Sequence, residues 1–223
     1  MLQISTVGCT RLPDTMARRT KADALATRDN ILDGAESLFV RQGVSRTTML
    51  DIALEAGVSR GAIYWHFADK VAVVEAMLVR AKLPLDSAML TLEQSLFDDP
   101  FRDLYAYATL VFNLVENDGK ASRVYEIVTL KVEYVEEMTA VQVRRWEMAE
   151  RWRALAMHRI HAAIDAGLAR SSVEPLGSAL ALWALMDGLS RAWLLAPQSF
   201  SLTKVGRGAV LTFIDAMKIR FDE

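Results

Sequence analysis

Between Thr48 and Phe67 the chain reads TMLDIALEAGVSRGAIYWHF, and its polar residues fall at two kinds of spacing. Thr48 with Asp51 three positions on is a capping-box start, and Ile52, Ala53 and Ala56 follow as one apolar stripe. Gly57 supplies the left-handed residue that stops this helix. Ser59 caps a second one carrying Arg60, Gly61, Tyr64, Trp65 and His66. Two helices joined by a short turn with Gly form a helix-turn-helix, whose second helix fits the major groove of DNA. Arg60 reaches base edges or phosphate, and Gly61 lets a backbone approach closely. Tyr64 and His66 offer hydrogen-bonding tips on flat rings, while the Trp65 ring either packs under the helix or lies against sugars. Ser59 starts the recognition helix, and Thr47, Thr48 and Lys70 are expected at phosphates, through helix N-termini and charge. Arg18, Arg19 and Lys21 are expected to act as a basic arm whose contribution depends on salt. The alternative is a buried αα-hairpin, which would hardly gather Arg, Tyr, Trp and His on one two-turn helix.

Around this stretch, Leu25–Lys70 resembles the DNA-binding domain of the TetR/AcrR repressors. The residues that carry the resemblance are Ala35-Glu36-Ser37-Leu38-Phe39 with Gly43, then Thr47-Thr48, Ile52-Ala53 and Ala56-Gly57-Val58-Ser59. Gly61-Ala62-Ile63-Tyr64-Trp65-His66-Phe67 and Asp69-Lys70 complete it. The start Met16-Ala17-Arg18-Arg19-Thr20-Lys21 is similar to the subgroup that guards multidrug efflux operons. Ala72 departs from the pattern, standing where many relatives carry Glu; a weaker cap for the following helix is expected.

The 223 residues leave room for one or two domains with a sizeable core. Hydrophobic residues make up 52%, which on a chain with no apolar run long enough for a membrane span implies oligomerisation or a greasy cavity. The net charge of −2 is unevenly spread. Residues 16–82 hold ten Lys/Arg against eight Asp/Glu, whereas residues 83–223 hold fifteen against nineteen. The basic excess therefore sits with the helix-turn-helix, as phosphate attraction requires. One cysteine, Cys9, excludes an intrachain disulfide framework and fits a reducing cytoplasm. Residues 1–15 lack the pattern of a signal peptide, and 1–20 are expected to be a disordered leader and basic arm.

The fold class expected is all-α, with about nine helices. A three-helix head, 21–70, carries the helix-turn-helix, and a larger helical body, 71–223, binds ligand and dimerises. Apolar spacing predicts a first helix over about 24–42 and a long fourth helix capped by Asp69, kinked or broken by Pro84 near Leu83. A hydrophobic stretch follows at 85–97, and further helices are expected at about 101–117, 120–131, 136–168, 175–196 and 202–220.

The segment 175–196 is apolar all round, so both sides should be buried. Ala181, Ala184, Leu185, Gly188, Leu189 and Ala192 make one side small and smooth, suiting close approach of another helix. The resemblance implies a four-helix homodimer interface from 175–196 and 202–220, with Val210, Phe213, Ile214 and Met217 as the second stripe. On the other side lie Trp183, Met186, Asp187, Ser190 and Arg191. Asp187 and Arg191 stand at i and i+4, in the favourable order for an ion pair. They are either a structural pair or a polar anchor in a greasy ligand cavity. The resemblance implies the latter, with further walls from Leu104, Ala108, Val111, Tyr125, Thr129, Ala149, Trp152 and Ala156. The ligand expected is hydrophobic, aromatic or cationic.

Other patterns carry less. His158, His161 and Asp165 share a helix face, but no cluster elsewhere completes a metal site, and no metal or cofactor is expected. Gly206-Arg207-Gly208 follows no strand, as a phosphate loop would. Glu133, Glu136, Glu137, Glu147 and Glu150 read as a solvated face, or one that draws in cationic drugs. No nucleophile–base–acid set is legible. The reading is a cytoplasmic, homodimeric repressor without enzymatic activity, held on a palindromic operator and released by a hydrophobic small molecule. The alternatives are a regulator sensing a fatty-acyl or other metabolite, a helical enzyme with a DNA-binding appendix, and an adaptor without ligand.

Overall fold

A computed structural model describes residues 14–94, 99–133 and 135–219, with side chains at all of these except 14–20, 82–88 and 91–94. The head comprises α1 (Asp14–Gln42), α2 (Met49–Glu55) and α3 (Arg60–His66). The body follows as α4 (Lys70–Gln94), α5 (Pro100–Asn117), α6 (Gly119–Glu126), α7 (Thr139–Asp165), α8 (Pro175–Leu195) and α9 (Leu202–Met217). Among the described residues the sole strand-like pairing is one antiparallel bridge between Ala169 and Lys218.

Side chains fix most of the helix starts. Thr48 and Asp51 form the full capping box on α2, and Ser59 accepts from the Ala62 amide at the start of α3. Asp99, Asp118, Glu174 and Ser201 cap α5, α6, α8 and α9, and Pro100 and Pro175 occupy first-turn positions that need no amide donor. The cap of α4 survives the departure at Ala72, whose own amide donates to Asp69 Oδ1 at 2.8 Å. Gly43 and Gly57, at φ 84° and 66°, provide the left-handed residues that end α1 and α2.

Several boundaries differ from expectation. The first helix starts at Asp14, through a stretch expected to be a disordered arm. Residues 14–23 have no apolar stripe for periodicity to detect, but Ala, Arg, Lys and Met are good helix formers. The side chains of Arg18 and Arg19 lie outside the described residues, as does Cys9. No break occurs at Pro84, because losing a single backbone hydrogen bond leaves α4 continuous to Gln94. The expected helix at 120–131 is α-helical only to Glu126, and Ile127–Lys131 forms a π turn. A 3-10 turn, Glu136–Met138, precedes α7.

Two hydrophobic cores result. The first joins Ile31, Phe39, Ile52, Ile63 and Val74 to body residues Val124, Ile127, Val128, Met138 and Val141. The second unites Phe101, Leu104, Ala108, Phe112, Trp152, Ala156, Leu182, Val210 and Ile214 from α5, α7, α8 and α9. The head core therefore does not stop at residue 70. In the second core, Asp103 on α5 pairs with Arg159 on α7 at 3.3 Å, both buried. Glu116 accepts from the Leu202 and Thr203 amides at 2.9 and 2.8 Å, which ties the end of α5 to the start of α9.

The outer face of α8 runs through Leu176, Leu180, Ala184, Gly188, Ala192 and Leu195, all exposed. Leu185 and Leu189, expected on that face, are half-buried against the second core. The stripe expected on α9 is corrected outright. Val210, Ile214 and Met217 are buried and Phe213 packs beside them, because this face meets α5 within the same chain. The outward side of α9 instead carries Val205, Gly208, Leu211 and Thr212.

Gly206 acquires a structural purpose here. A Cβ at this position would lie 2.4 Å from the ring of the fully buried Phe112, so α5 and α9 approach over a missing side chain. Gly206→Ala is expected to cost about 1–3 kcal/mol by overpacking. Thermal melts check this, and Phe112→Leu in the same chain should recover part of the loss, a coupling that a double-mutant cycle measures.

Candidate DNA-recognition surface and ligand cavity

In α3 only Ile63 is buried, and with Phe67 it anchors the helix on the first core. Arg60, Gly61, Tyr64 and Trp65 face outward, Trp65 at 73% exposure. That exposure rules out a Trp65 ring packed under the helix. A Cβ on Gly61 would meet nothing nearer than Ser59 Oγ at 3.9 Å, so the chain itself does not demand glycine there. The Arg60 guanidinium carbon stands 6.0 Å from the Tyr64 ring centre, which orients both side chains across the same face.

One cleft gathers Thr47, Thr48, Arg60, Tyr64 and Lys70, five of the residues expected to meet DNA, with Ser45, Met49, Leu50, Ala68, Asp69 and Glu137. Thr47 departs from its expected role. Thr47 is fully buried, and its hydroxyl donates to the Gly43 carbonyl at 2.8 Å, so it builds the α1–α2 turn. The hydroxyl of Ser59 is spent on the Ala62 amide at 3.1 Å. Lys70 Nζ donates to the Val44 carbonyl at 3.2 Å, which fixes the ammonium at the cleft. Lys21 is exposed on α1 and does not line the cleft.

His66, at the end of α3, is half-buried, with its ring edge-on to Trp65 at 4.5 Å between centres. Burial, and secondarily the nearby Arg28 charge, hold the imidazole pKa below its ordinary value. The neutral ring is therefore the form that belongs to the folded head.

The body holds a cavity of about 180 Å³, partly open to solvent, between α4, α5, α6, α7 and α8. Of the expected wall residues, Val111, Tyr125, Ala149, Trp152, Trp183, Met186, Asp187 and Ser190 line it. Leu104, Ala108 and Ala156 do not; they are buried in the second core, one helical turn or less from the true wall. Thr129 falls in the π turn, where the 3.6-residue spacing used to project it no longer holds, and Val128 takes its place. Leu78, Tyr107, Arg145 and Met148 complete the lining and were missed. On α7 the signal was present, since Arg145, Met148, Ala149 and Trp152 stand at i, i+3, i+4 and i+7.

Asp187 and Arg191 do pair, at 2.6 Å. Arg191 lies outside the cavity lining, its side chain 42% exposed, so it braces Asp187 from the solvent side. Tyr125 donates its hydroxyl to the other Asp187 oxygen at 2.7 Å. Burial, reinforced by the Asp187 charge, pushes the Tyr125 pKa well up and keeps the phenol neutral. With both oxygens engaged, Asp187 offers a cationic ligand little without losing a partner. Rings from Tyr107, Trp152 and Trp183 also line the cavity, with Tyr107 and Trp152 tilted at 35° to each other, 5.9 Å between centres.

Cavity and head are joined by one short segment. Tyr125 and Val128 form cavity wall, and Arg145 donates to the Val128 carbonyl at 2.7 Å. Three residues on, the Lys131 carbonyl accepts from the Val44 amide at 3.2 Å, in the turn between α1 and α2. A second link is ionic. Glu36 on α1, 1% exposed, pairs with Arg80 on α4 and lies 3.5 Å from Arg123 on α6. Asp33 pairs with Arg80 at 2.8 Å and with Lys120 at 3.5 Å. Burial disfavours the Arg80 charge, but Glu36 and Asp33 outweigh it and raise the pKa.

A pH dependence follows from His66. Its folded pKa lies below the unfolded value, so its contribution to stability is present above the unfolded pKa and is lost as pH falls through the folded one. An imidazole NMR titration should show its midpoint below that of a model histidine, and Arg28→Ala should move it upward. A midpoint at or above the ordinary value would mean that the ring is not buried as described.

Comparison with known proteins agrees with this geometry. Residues 31–77 match the pattern described as bacterial regulatory proteins, tetR family, and residues 99–219 match the C-terminal region of MAATS-type transcriptional repressors. The HTH-type transcriptional regulator TtgR of Pseudomonas putida is 33% identical over 204 residues, covering 92% of this chain and 97% of its own. The HTH-type transcriptional regulator AcrR of Shigella flexneri is 32% identical over 200 residues, covering 90% and 93%. Among solved structures, NalD, the secondary repressor of the MexAB-OprM multidrug efflux pump in Pseudomonas aeruginosa, superposes with a TM-score of 0.80 at 27% identity, covering 90% of this chain and all of its own. The complex of SmeT with triclosan gives 0.77 at 28%, covering 88% and 93%. A head that exposes a recognition helix, on a helical body with an aromatic cavity, and matches to both parts of the chain lead to one conclusion: this chain belongs to the TetR family of bacterial transcriptional regulators.

Proposed function

We propose that the chain is a homodimeric repressor of a multidrug efflux operon, released from its operator when a hydrophobic, ring-bearing molecule fills the body cavity. The observation that carries this reading is the segment 125–131. Its first part walls the cavity and its last carbonyl holds the head, so a ligand there acts on the head's footing without crossing the molecule. The relatives support the efflux assignment, since NalD and SmeT are described as repressors of multidrug efflux pumps and SmeT is solved with triclosan. A DNA-binding regulator of this kind works in the cytoplasm, and no described helix is long and apolar enough to cross a membrane.

The energetics are those of a population shift. A ligand that binds the released conformation better than the DNA-bound one lowers operator affinity by that difference, and about 1–3 kcal/mol suffices for a 5–150-fold change. In the cavity such a difference arises if the ligand displaces Tyr125 or Val128 and disturbs the Arg145 bond. The π turn holds the Lys131 carbonyl in register with Val44 and must then shift.

Two copies are required for a palindromic operator, because each head reads one half-site and the heads must sit about 34–36 Å apart. The exposed α8 stripe supplies an apolar, small-residue face for a second copy. At Gly188 an added Cβ would meet nothing within 4 Å, which leaves room for a partner's helix. Gly188→Leu should give monomers in sedimentation and remove specific DNA binding; dimers that persist would place the interface elsewhere.

The direct test is fluorescence anisotropy with a duplex selected by the wild-type chain from a random pool. Tyr64→Ala should reduce its preference over random duplex to near parity while helicity and dimerisation stay unchanged. Asp187→Asn with Arg191→Gln keeps polar atoms in place and removes both charges. That variant should bind the duplex normally and be released by a different subset of a hydrophobic panel including triclosan. An unaltered release profile would mean that the pair only supports the fold.

A further inference from the structure

The cleft that gathers Thr48, Arg60, Tyr64 and Lys70, the first residue of α4, also contains a residue from far along the body, Glu137. It sits in the 3-10 turn before α7 and is exposed, and its side chain makes no ion pair or hydrogen bond with any described residue. The turn is well fixed. Met138, the next residue, is 3% exposed in the first core, and its amide donates to the Val135 carbonyl at 2.8 Å. Arg144 on the first turns of α7 pairs with Glu75 on α4 at 3.3 Å. A carboxylate on a fixed turn thus lines the same cleft as the cations Arg60 and Lys70. The same cleft already holds Asp69, but its carboxylate is engaged by the Ala72 amide as the cap of α4. Glu137 has no such duty.

We propose that Glu137 is a body-borne part of the DNA interface, an anion built into the backbone-facing cleft that holds down sequence-independent affinity. Attraction between Lys/Arg and phosphates supplies nearly all non-specific binding, so a negative charge lining the same cleft as Arg60 and Lys70 acts on that contribution. At separations below the screening length the repulsion persists at physiological salt, whereas an equal charge farther away is damped. Because the carboxylate belongs to the body, the penalty also depends on where the head stands relative to the turn before α7. The inference rests on the reading of this cleft as a seat for the DNA backbone.

The experiment measures affinity for a random-sequence duplex and for the selected duplex across a salt series. Glu137→Gln should bind the random duplex about two- to fivefold more tightly near 0.1 M salt. It should also steepen the slope of log affinity against log salt by at most about one. Glu137→Lys should go further in the same direction. Glu147→Gln removes the same charge from an exposed position ten residues along and should change neither quantity. Unchanged or weaker binding by Glu137→Gln would overturn the proposal, as would an equal gain from Glu147→Gln, which would reduce the effect to net charge. Arg60→Ala tests the cleft separately and should weaken binding to both duplexes. If it does not, the cleft is not a backbone seat and the underlying reading fails with the inference. If Arg60→Ala weakens binding while Glu137→Gln is silent, the inference alone fails.

Discussion

A carboxylate with 1% exposure constrains everything around it. Glu36 is buried between α1, α4 and α6, and an ionised group at that depth is tolerated only with cations in place. Arg80 and Arg123 supply them, one from each body helix that faces the head. Leaving the carboxylate without them would cost several kcal/mol, so the head does not drift freely on its body. In the described seat Glu36 is satisfied by both guanidinium groups. Interfaces of this kind shift between discrete arrangements rather than bend. The same property makes the head responsive, because any change that moves α4 or α6 acts on a pair that tolerates little misfit.

The head was legible because its signals are local. The capping box at Thr48 and Asp51, the left-handed Gly57 and the Ser59 cap each act within four residues, and a linear reading captures them. Most body helices were legible for the same reason, through Asp99-Pro100, Asp118 and Glu174-Pro175. The helix over Pro84 and the extension of α1 to Asp14 were not. One depends on the rest of α4 tolerating a missing bond, the other on propensity without pattern. The shared core was also invisible, since Val124, Met138 and Val141 meet Ile31 and Phe39 only across long separations.

The cavity shows a subtler limit. Periodicity on α8 located Trp183, Met186, Asp187 and Ser190 correctly, because that helix is regular and its two faces differ in character. On α5 the projection slipped by one residue toward the core, and Leu104 and Ala108 replaced Tyr107. Both faces of α5 are apolar, so hydrophobicity does not distinguish cavity from core. On α6 the π turn broke the period itself. For α9 the error was one of competition, as Val210, Ile214 and Met217 satisfy a dimer stripe and an internal contact equally well. The bare side of Gly206 against Phe112 is what commits that face inward.

These features bear on why the cavity is built as it is. A wall of ring faces binds many hydrophobic molecules loosely, and buried charge in such a wall would select against most of them. The chain resolves this by engaging Asp187 from two sides, with the Tyr125 hydroxyl donating from inside and the Arg191 charge pairing from outside. The lining thereby keeps a polar landmark without an open charge. Tyr125 serves twice, since it quiets the carboxylate and begins the segment whose far end holds Val44. A ligand that competes for the phenol therefore changes the electrostatics of the cavity and the footing of the head in a single exchange. Under the proposed function, recognition and release meet at one side chain, Tyr125.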